Sequence, residues 1–438
     1  MSETENHFDA IIIGAGLIGA SIACALAKRG IRPLVLDKNA IAGAGSTVNS
    51  SAVVRTAYST WDGTAIAYES YLHWREWPEF LGVADERGFA RFVETGMLVP
   101  IETPGELDAQ LAHHRALNIP YEEWDLTTLQ ARMPMLDLHS FSPPKRPDDD
   151  GFGIPNGADL CGAVYFPTAG YVNDPQLTVH NLQCAAESYG AQFRFNAQVA
   201  SIDRDASRVQ GVTLNSGDVL LAPVVVNAAG PHSNAINKLA GVCDDMSIST
   251  RGLRHEVYYV PMPASQNVEQ HGFVIGDGDV GCYSRPDIGD KLLVGSMDPQ
   301  CDPQEWVDDP DKLDRNINGD QWKAQLYRMA QRMPDLPIPD RSSGVVDAYD
   351  VSDDWIPIYD RSSLDGFYMA IGTSGNQFKN APMVGLLMAE LIAACEQGQN
   401  HDVDPVTLKT PKTGVELNIG FYSRKRGINE GSSFTVMG

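Results

Sequence analysis

Near the start of the chain, Gly14-Ala15-Gly16-Leu17-Ile18-Gly19 has the composition and spacing of a loop that holds a pyrophosphate. Glycines at these positions permit a tight turn, close approach of backbone to phosphate, and tight packing of the following helix. The start of that helix offers unpaired N–H groups and the positive end of its dipole to the anion. An ordinary strand–turn–helix can carry the same three glycines, so context decides. The apolar run Ile11 to Ile13 precedes the motif, and Leu34-Val35-Leu36-Asp37 ends the next strand on an acid. Asp37 stands 18 residues beyond Gly19, where a carboxylate can hold a ribose hydroxyl pair and repel a 2′-phosphate. The chemistry implied is dinucleotide binding, with FAD and NAD both open and NADP disfavoured.

The elements that must position this loop follow from periodicity. Residues 8–37 read as strand, Gly-rich turn, helix and strand, and the helix carries Ala20, Ala23 and Ala27 on one face for close packing on a sheet. An amphipathic helix is expected over 64–81, with Tyr68, Tyr71, Leu72 and Trp74. Two helical pieces are expected in 104–135, split near Pro120. Phe141 to Pro155, with four prolines and the acidic run Asp148 to Asp150, reads as a loop and a domain crossing. A helix over 174–189 precedes strands at Gln192 to Asp203, Gly211 to Leu214 and Val219 to Val226. Short alternating runs at 254–260, 272–276, 280–285 and 291–297 suit an antiparallel sheet. A helix over 319–333, a strand from Gly366 to Ile371 and a helix near 380–397 complete the chain. The pattern is α/β plus α+β: a discontinuous Rossmann-type domain over 1–90, 156–232 and 344–410, a substrate domain over 91–155 and 233–343, and a tail over 411–438.

Bulk composition narrows the partners. The 438 residues carry 43% hydrophobic and 21% charged side chains, which fits a globular protein with a substantial core. Acidic residues outnumber basic ones 57 to 33, a net charge of −24 that repels nucleic acid and anionic membrane surfaces. An anionic substrate therefore needs a local cluster of cations. No apolar run reaches the roughly 18 residues of a membrane span, and Met1 to His7 lacks the basic and apolar parts of a signal peptide. The seven cysteines are scattered and never spaced Cys-x-x-Cys, so neither a disulfide frame nor a metal site is expected, and the location expected is cytoplasmic.

Further motifs separate FAD from NAD. They are Gly45-Ser46 to Arg55-Thr56-Ala57-Tyr58, then Gly170 to Pro175, then Val225-Val226-Asn227-Ala228-Ala229-Gly230, then Gly372-Thr373-Ser374-Gly375-Asn376-Gln377-Phe378-Lys379 running into a helix. In this order the chain, from Asp9 to about Ile392, resembles the FAD-dependent family of D-amino-acid oxidase, glycine oxidase, monomeric sarcosine oxidase and dimethylglycine dehydrogenase. The resemblance implies a glutathione-reductase-like FAD domain with an antiparallel substrate domain. It places Asp37 and Lys38 at the adenosine, and Gly45, Ser46 and Ser51 along the pyrophosphate and flavin ring. It also places the Val199 backbone at the adenine, Ala229 and Gly230 close against the cofactor, and Gly372, Gly375, Asn376, Gln377 and Phe378 beside the flavin's pyrimidine edge. There a helix start can stabilise the negative charge of the reduced ring.

In the sarcosine-oxidase branch, matching motifs bring two cations to the substrate carboxylate, here Arg55 and Lys379. Arg55 can grip it with two parallel hydrogen bonds, and Lys379 adds a point charge. Tyr258, His255, Tyr283 and Arg285, on the expected antiparallel sheet, are further pocket candidates. Arg285 would suit a second carboxylate. Three departures from the family pattern matter. Asn376 and Gln377 replace a His-Gly pair. Asp347 stands where a cysteine tethers the flavin in monomeric sarcosine oxidase, so the FAD is expected to be noncovalent. Leu293 stands where relatives carry an oxygen-activating lysine, with Lys291 two residues away. The basic, aromatic stretch Asn418 to Arg426 is expected to cap the active site or a subunit contact.

The expected reaction is hydride transfer from the α-carbon of a neutral, small carboxylated amine such as sarcosine or iminodiacetate to flavin N5. Hydrolysis of the imine follows, and O2 reoxidises the flavin, giving H2O2. The alternatives are a dehydrogenase of the same fold using a carrier or quinone, oxidation of a D-amino acid or 2-hydroxy acid, and a flavin-binding subunit without turnover. An oligomer is compatible with all of them.

Overall fold

The computed structural model describes residues 6–266 and 272–438. Its first layer is a six-stranded sheet in the order Ile358–Arg361, Phe367–Ile371, Val225–Asn227, Ala10–Ile13, Pro33–Leu36, Gln192–Arg194. All pairs are parallel except the outermost, Ile358–Arg361 against Phe367–Ile371. Ala10–Ile13 and Pro33–Leu36 are buried at every position, as expected of strands covered on both faces. Their side chains alternate between two cores. Ile12, Val35 and Val226 face a cluster with the helices Leu17–Lys28, Pro175–Ser188 and Ala381–Glu396. Ile11, Leu34 and Val225 face a second cluster, covered by the antiparallel sheet Val199–Arg204, Val209–Leu214 and Val219–Leu221.

Small residues let the helices lie close. A Cβ at Gly385 would stand 2.5 Å from the Ser21 carbonyl oxygen, so Ala381–Glu396 crosses Leu17–Lys28 in near backbone contact. Phe378–Glu396 has the length and mean hydropathy of a membrane span, yet 67% of that window is buried inside the protein. The count of consecutive apolar residues misses it because the run is apolar on average rather than throughout.

The second layer is a nine-stranded sheet in which Thr250–Pro261, Lys291–Ser296, Cys282–Asp287 and Val274–Asp277 pair antiparallel in that order. Val274–Asp277 then joins Met97–Ile101 in parallel, so the sheet is mixed rather than wholly antiparallel. Two of its strands come from segments expected in the Rossmann-type domain: Gly162–Phe166 pairs with Met97–Ile101, and Gly344–Ser352 runs along Thr250–Pro261. The chain enters the large sheet before it returns, a long-range pairing that local composition does not reveal. Other differences are local. The helix expected over 64–81 is two, Trp61–Arg75 and Trp77–Leu81, broken at Glu76 ahead of Pro78. Between the helices Asp108–Ala116 and Leu126–Arg132 lies a short strand, Glu122–Trp124.

Candidate active site

The two sheets meet at a cavity of about 1160 Å³, counting the space at its open mouth. One end is the glycine loop. Gly14 adopts φ +108°, and a Cβ there would lie 2.3 Å from the Ala228 carbonyl oxygen. A Cβ at Gly19 would lie 1.9 Å from the Gly14 carbonyl oxygen, which fixes the helix against the turn. Gly45 has nothing within 4 Å, Gly230 only Ser46 Oγ at 4.0 Å, and Gly16 only Thr47 Oγ1 at 3.3 Å. The backbone at these three glycines faces space that side chains elsewhere would fill. Leu17, Ile18 and Ser46 line the cavity.

Asp37 is half-buried and holds the turn, accepting from Ala15 N–H and Asn39 N–H, each at 2.8 Å. The amide of Ala197 donates to its carbonyl oxygen at 2.8 Å, which brings the strand bearing Val199 alongside. Lys38 is engaged by Asp311 and by His232 Nε2 at 2.8 Å. Asn227 is buried, its amide donating to Ser233 O and Asn237 Oδ1, so it supports the turn at Ala229 and Gly230 rather than facing the cavity.

The other end carries charge. Arg55 and Lys379 are each only 3% exposed and both line the cavity. They share one aromatic ring: the Arg55 guanidinium carbon lies 4.5 Å from the Tyr58 centroid and Lys379 Nζ 5.1 Å from it. The ring's negative face partly compensates two like charges that repel each other. Arg55 donates to the carbonyls of Ala57, Val436 and Met437, and Lys379 Nζ to the Asn376 carbonyl at 2.6 Å. No acidic side chain among the described residues pairs with either. Burial, and then the Arg55 charge, push the Lys379 pKa well below its ordinary value. Burial pushes the Tyr58 phenol up to about 12.

The loop Gly372 to Phe378 forms the wall between the two ends. Gly372 N–H donates to the buried Asp350 at 2.6 Å, and burial pushes that carboxyl up to about 7. Gly375, at φ +67°, packs so closely on Tyr349 that a Cβ would meet the ring at 2.4 Å. Gln377 accepts from the Tyr359 hydroxyl, and Phe378 stacks on Trp74. Asn376 Nδ2 is buried without a hydrogen-bond partner and belongs to the cavity lining. An unsatisfied buried donor of this kind marks a missing acceptor.

The remaining candidates divide by strand alternation. On Thr250–Pro261, His255 and Val257 face the cavity. His255 Nε2 meets Asp298 Oδ1 at 3.0 Å and its ring stacks on Tyr349 at 4.0 Å. Tyr258 points the opposite way into a core, its hydroxyl donating to Glu256 at 3.0 Å, so it does not line the cavity. Tyr283 lines the cavity, with its hydroxyl 2.6 Å from Ser51 Oγ. Arg285, two residues on, is not part of that lining. It is held by Ser51 O at 2.6 Å and by Asp287 at 3.0 Å, which leaves no free cation for a second carboxylate.

Sequence reasoning passed over Tyr58, Tyr349 and Asp350, although Tyr58 ends a motif it singled out and the other two lie within three residues of Asp347. It also gave no role to Val436 and Met437, whose place in the lining has no local signal. All seven cysteines are unpaired. Cysteine spacing gave no hint that Asp85, His180 and Cys184 bring their ligand atoms within 4.8 Å of one another.

Comparison with known proteins matches residues 9–391 to the family described as FAD dependent oxidoreductase. The chain is 25% identical over 421 residues to a glycine oxidase of Geobacillus kaustophilus, covering 94% of this chain and all of that one. It is also 25% identical to the sarcosine oxidase subunit beta of an Arthrobacter species, covering 94% and 93%. The crystal structure of L-proline dehydrogenase from P. horikoshii superposes with a TM-score of 0.75 at 20% identity, covering 96% and 98%. These shares span both sheets, and the glycine-lined end with the unpartnered Asn376 amide fits FAD.

Proposed function

The chain belongs to the FAD dependent oxidoreductase family, and from that premise we propose that it oxidises the C–N bond of a small carboxylated secondary or N-methyl amino acid, such as sarcosine or iminodiacetate. The observation that carries this reading is the pair Arg55 and Lys379, two buried cations on one tyrosine ring without an acidic partner among the described residues. Burying an uncompensated charge is costly, so the site stores an affinity for an anion. The family relatives named glycine oxidase and sarcosine oxidase subunit beta support the same substrate class.

Gly14 to Gly19, Asp37, Ser46, Thr47, Ser51 and Asn376 would hold the cofactor, the first three along its phosphates and ribose. Bound FAD supplies a two-electron acceptor, and O2 or another acceptor returns it to the oxidised form. Arg55 grips the substrate carboxylate through two donors, and Lys379 adds a second positive charge. Both cations favour the neutral amine, which alone can release its α-hydrogen as hydride. His255 and Tyr283 add polar groups to the same lining. Asp347 is engaged by Asn49 at 2.6 Å and Arg315 at 3.1 Å and supplies no thiol, so the FAD is held noncovalently. Yellow colour retained in an acid-precipitated pellet would contradict that.

A second reading, a dehydrogenase using a carrier or quinone, is favoured by one feature. Among the described residues Lys379 is the one lysine in the cavity lining, while Lys291 is exposed and Leu293 is buried in its place. The test is the visible spectrum of the protein mixed anaerobically with N-substituted glycines, D-amino acids and 2-hydroxy acids. Bleaching by the first group is expected. Rapid recovery in air makes the enzyme an oxidase, slow recovery a dehydrogenase, and no bleaching by any amine rejects the proposal. Arg55→Ala should raise KM far more for a carboxylated amine than for its neutral counterpart, and equal effects on both would reject the carboxylate grip.

A further inference from the structure

The carboxylate grip is already engaged by the chain itself. Arg55 Nη2 donates to the backbone carbonyl of Val436 at 3.0 Å and to that of Met437. The far end is fixed by Ser59 N–H donating to the Gly438 carbonyl at 3.1 Å. Met437 packs into the apolar wall beside Met97 and Val274, and Val436 against Leu253 and Trp355. This piece is tethered rather than built in. Arg426 anchors the preceding chain on Asp354 at 2.7 Å. The stretch 427–431 that follows is largely exposed and has a glycine at each end. A held anchor, an exposed glycine-flanked connection and a held plug together make a hinged strap.

We infer that residues 432–438 form a specificity-determining strap, which occupies the carboxylate subsite at Arg55 and yields it only to an anion. The inference rests on the proposed carboxylate reading of that subsite. Nη2 cannot serve a two-point carboxylate grip while it serves two peptide carbonyls, so binding requires the strap to withdraw. Withdrawal alone leaves the Arg55 guanidinium buried, beside Lys379, with no acceptor in place of the two carbonyls. A carboxylate replaces two carbonyl dipoles with a full negative charge and offsets that loss. A neutral ligand of the same shape does not. The strap thereby turns a weak preference for acids into a requirement, because only an anion shifts the equilibrium between closed and open states.

The experiment is hydrogen exchange, read by mass spectrometry over residues 427–438 of the full-length, FAD-loaded protein. It is run without ligand, with saturating acetate, and with acetamide at the same concentration. Binding is followed separately by the shift in flavin absorbance. Expected are faster exchange in 432–438 with acetate and no change with acetamide. Met437→Ser, which loosens the plug from its apolar wall, should speed exchange without ligand and tighten acetate binding by about threefold or more, as the fraction of open strap rises. Acetate binding with exchange unchanged or slowed overturns the strap while leaving the carboxylate grip intact. Failure of acetate to bind either protein overturns both.

Discussion

The two ends of the cavity are built on opposite principles. The cofactor end is made of backbone: Gly14 and Gly19 pack backbone on backbone, Gly16, Gly45 and Gly230 leave room by lacking side chains, and the helix Leu17–Lys28 aims its N-terminus at what fills it. The substrate end is made of side chains held against their preference, with Arg55 and Lys379 buried at one ring and the carbonyls of Val436 and Met437 on the Arg55 donors. The first end is stable as it stands. The second is strained toward a ligand. Mutations should therefore act in opposite directions at the two ends: filling space at the first costs stability, and removing charge at the second restores it.

The largest effect is expected at Gly19→Ala. The added Cβ would lie 1.9 Å from the Gly14 carbonyl oxygen, a backbone atom that cannot swing aside. Overpacking of this kind costs about 1–3 kcal/mol and displaces the turn itself. The purified variant should lose flavin at least about tenfold, corresponding to roughly 1.4 kcal/mol of binding, and melt at a lower temperature. The ratio of visible to ultraviolet absorbance and a thermal melt check it. Full flavin content would mean that the loop is not the cofactor's seat.

Lys379→Met is the counterpart at the substrate end. It keeps length and removes a buried charge that has only the Asn376 carbonyl and the face of a shared ring to satisfy it. Flavin content should stay near that of the parent and Tm of the ligand-free protein should rise. KM for the carboxylated amine should rise by roughly 100-fold, the size expected when one member of a desolvated charge pair is removed. A lower Tm with unchanged KM would reverse the contrast between the two ends.

A pH series sharpens the contrast without mutation. The folded-state pKa of Lys379 is lowered by burial and by Arg55. The ammonium therefore prefers the unfolded chain, and stability rises with pH from the folded pKa up to the ordinary value of 10.5. Anion binding runs the other way: the charge is present below the folded pKa and lost above it. Acetate, which does not titrate in this range, should bind progressively more weakly as pH climbs through that value. Lys379→Arg keeps its charge throughout and should abolish this limb. A parent protein whose acetate affinity is flat up to pH 10.5 would show Lys379 to be neutral or uninvolved.

The same contrast explains what could be read in advance. The cofactor end was legible because its signals are local: the glycine spacing, the apolar runs Ile11 to Ile13 and Leu34 to Leu36, and Asp37 at the end of a strand all act within some thirty residues. Four strands of the large sheet, the runs at 254–260, 272–276, 280–285 and 291–297, were also legible one by one, by alternation. Gly162–Phe166 and Gly344–Ser352 were not among them and fell outside the expected substrate segments, because long-range pairing sets their place in the sheet. Arg55 and Lys379 were found through motif resemblance, but their meeting on Tyr58 depends on the turn of two loops more than 300 residues apart. Arg285 went astray for a comparable reason. Its residue type suggested a ligand, while Asp287 and the Ser51 carbonyl, one local and one distant, had already engaged it.

The smallest expected effect separates two tyrosines of the large sheet, on strands with Lys291–Ser296 between them. Tyr258 and Tyr283 both lie in the large sheet, both are buried, and burial raises the pKa of both phenols. Strand alternation puts them on different faces. Tyr258 gives its hydroxyl to Glu256, which also accepts from Arg254 and Asn318 N–H, so Tyr258→Phe removes one of several donors to a satisfied carboxylate. The cost should be about 1 kcal/mol of stability, with kcat and KM unchanged. Tyr283 lines the cavity and shares its hydroxyl with Ser51, a residue of the cofactor's expected seat. Tyr283→Phe should leave Tm nearly unchanged and shift KM by a few-fold, because the polar wall facing the substrate loses its hydroxyl while the ring still fills its place. Should Tyr258→Phe alter the kinetics and Tyr283→Phe only the melt, the face of the sheet assigned to the substrate would be the wrong one, and His255 would move with it.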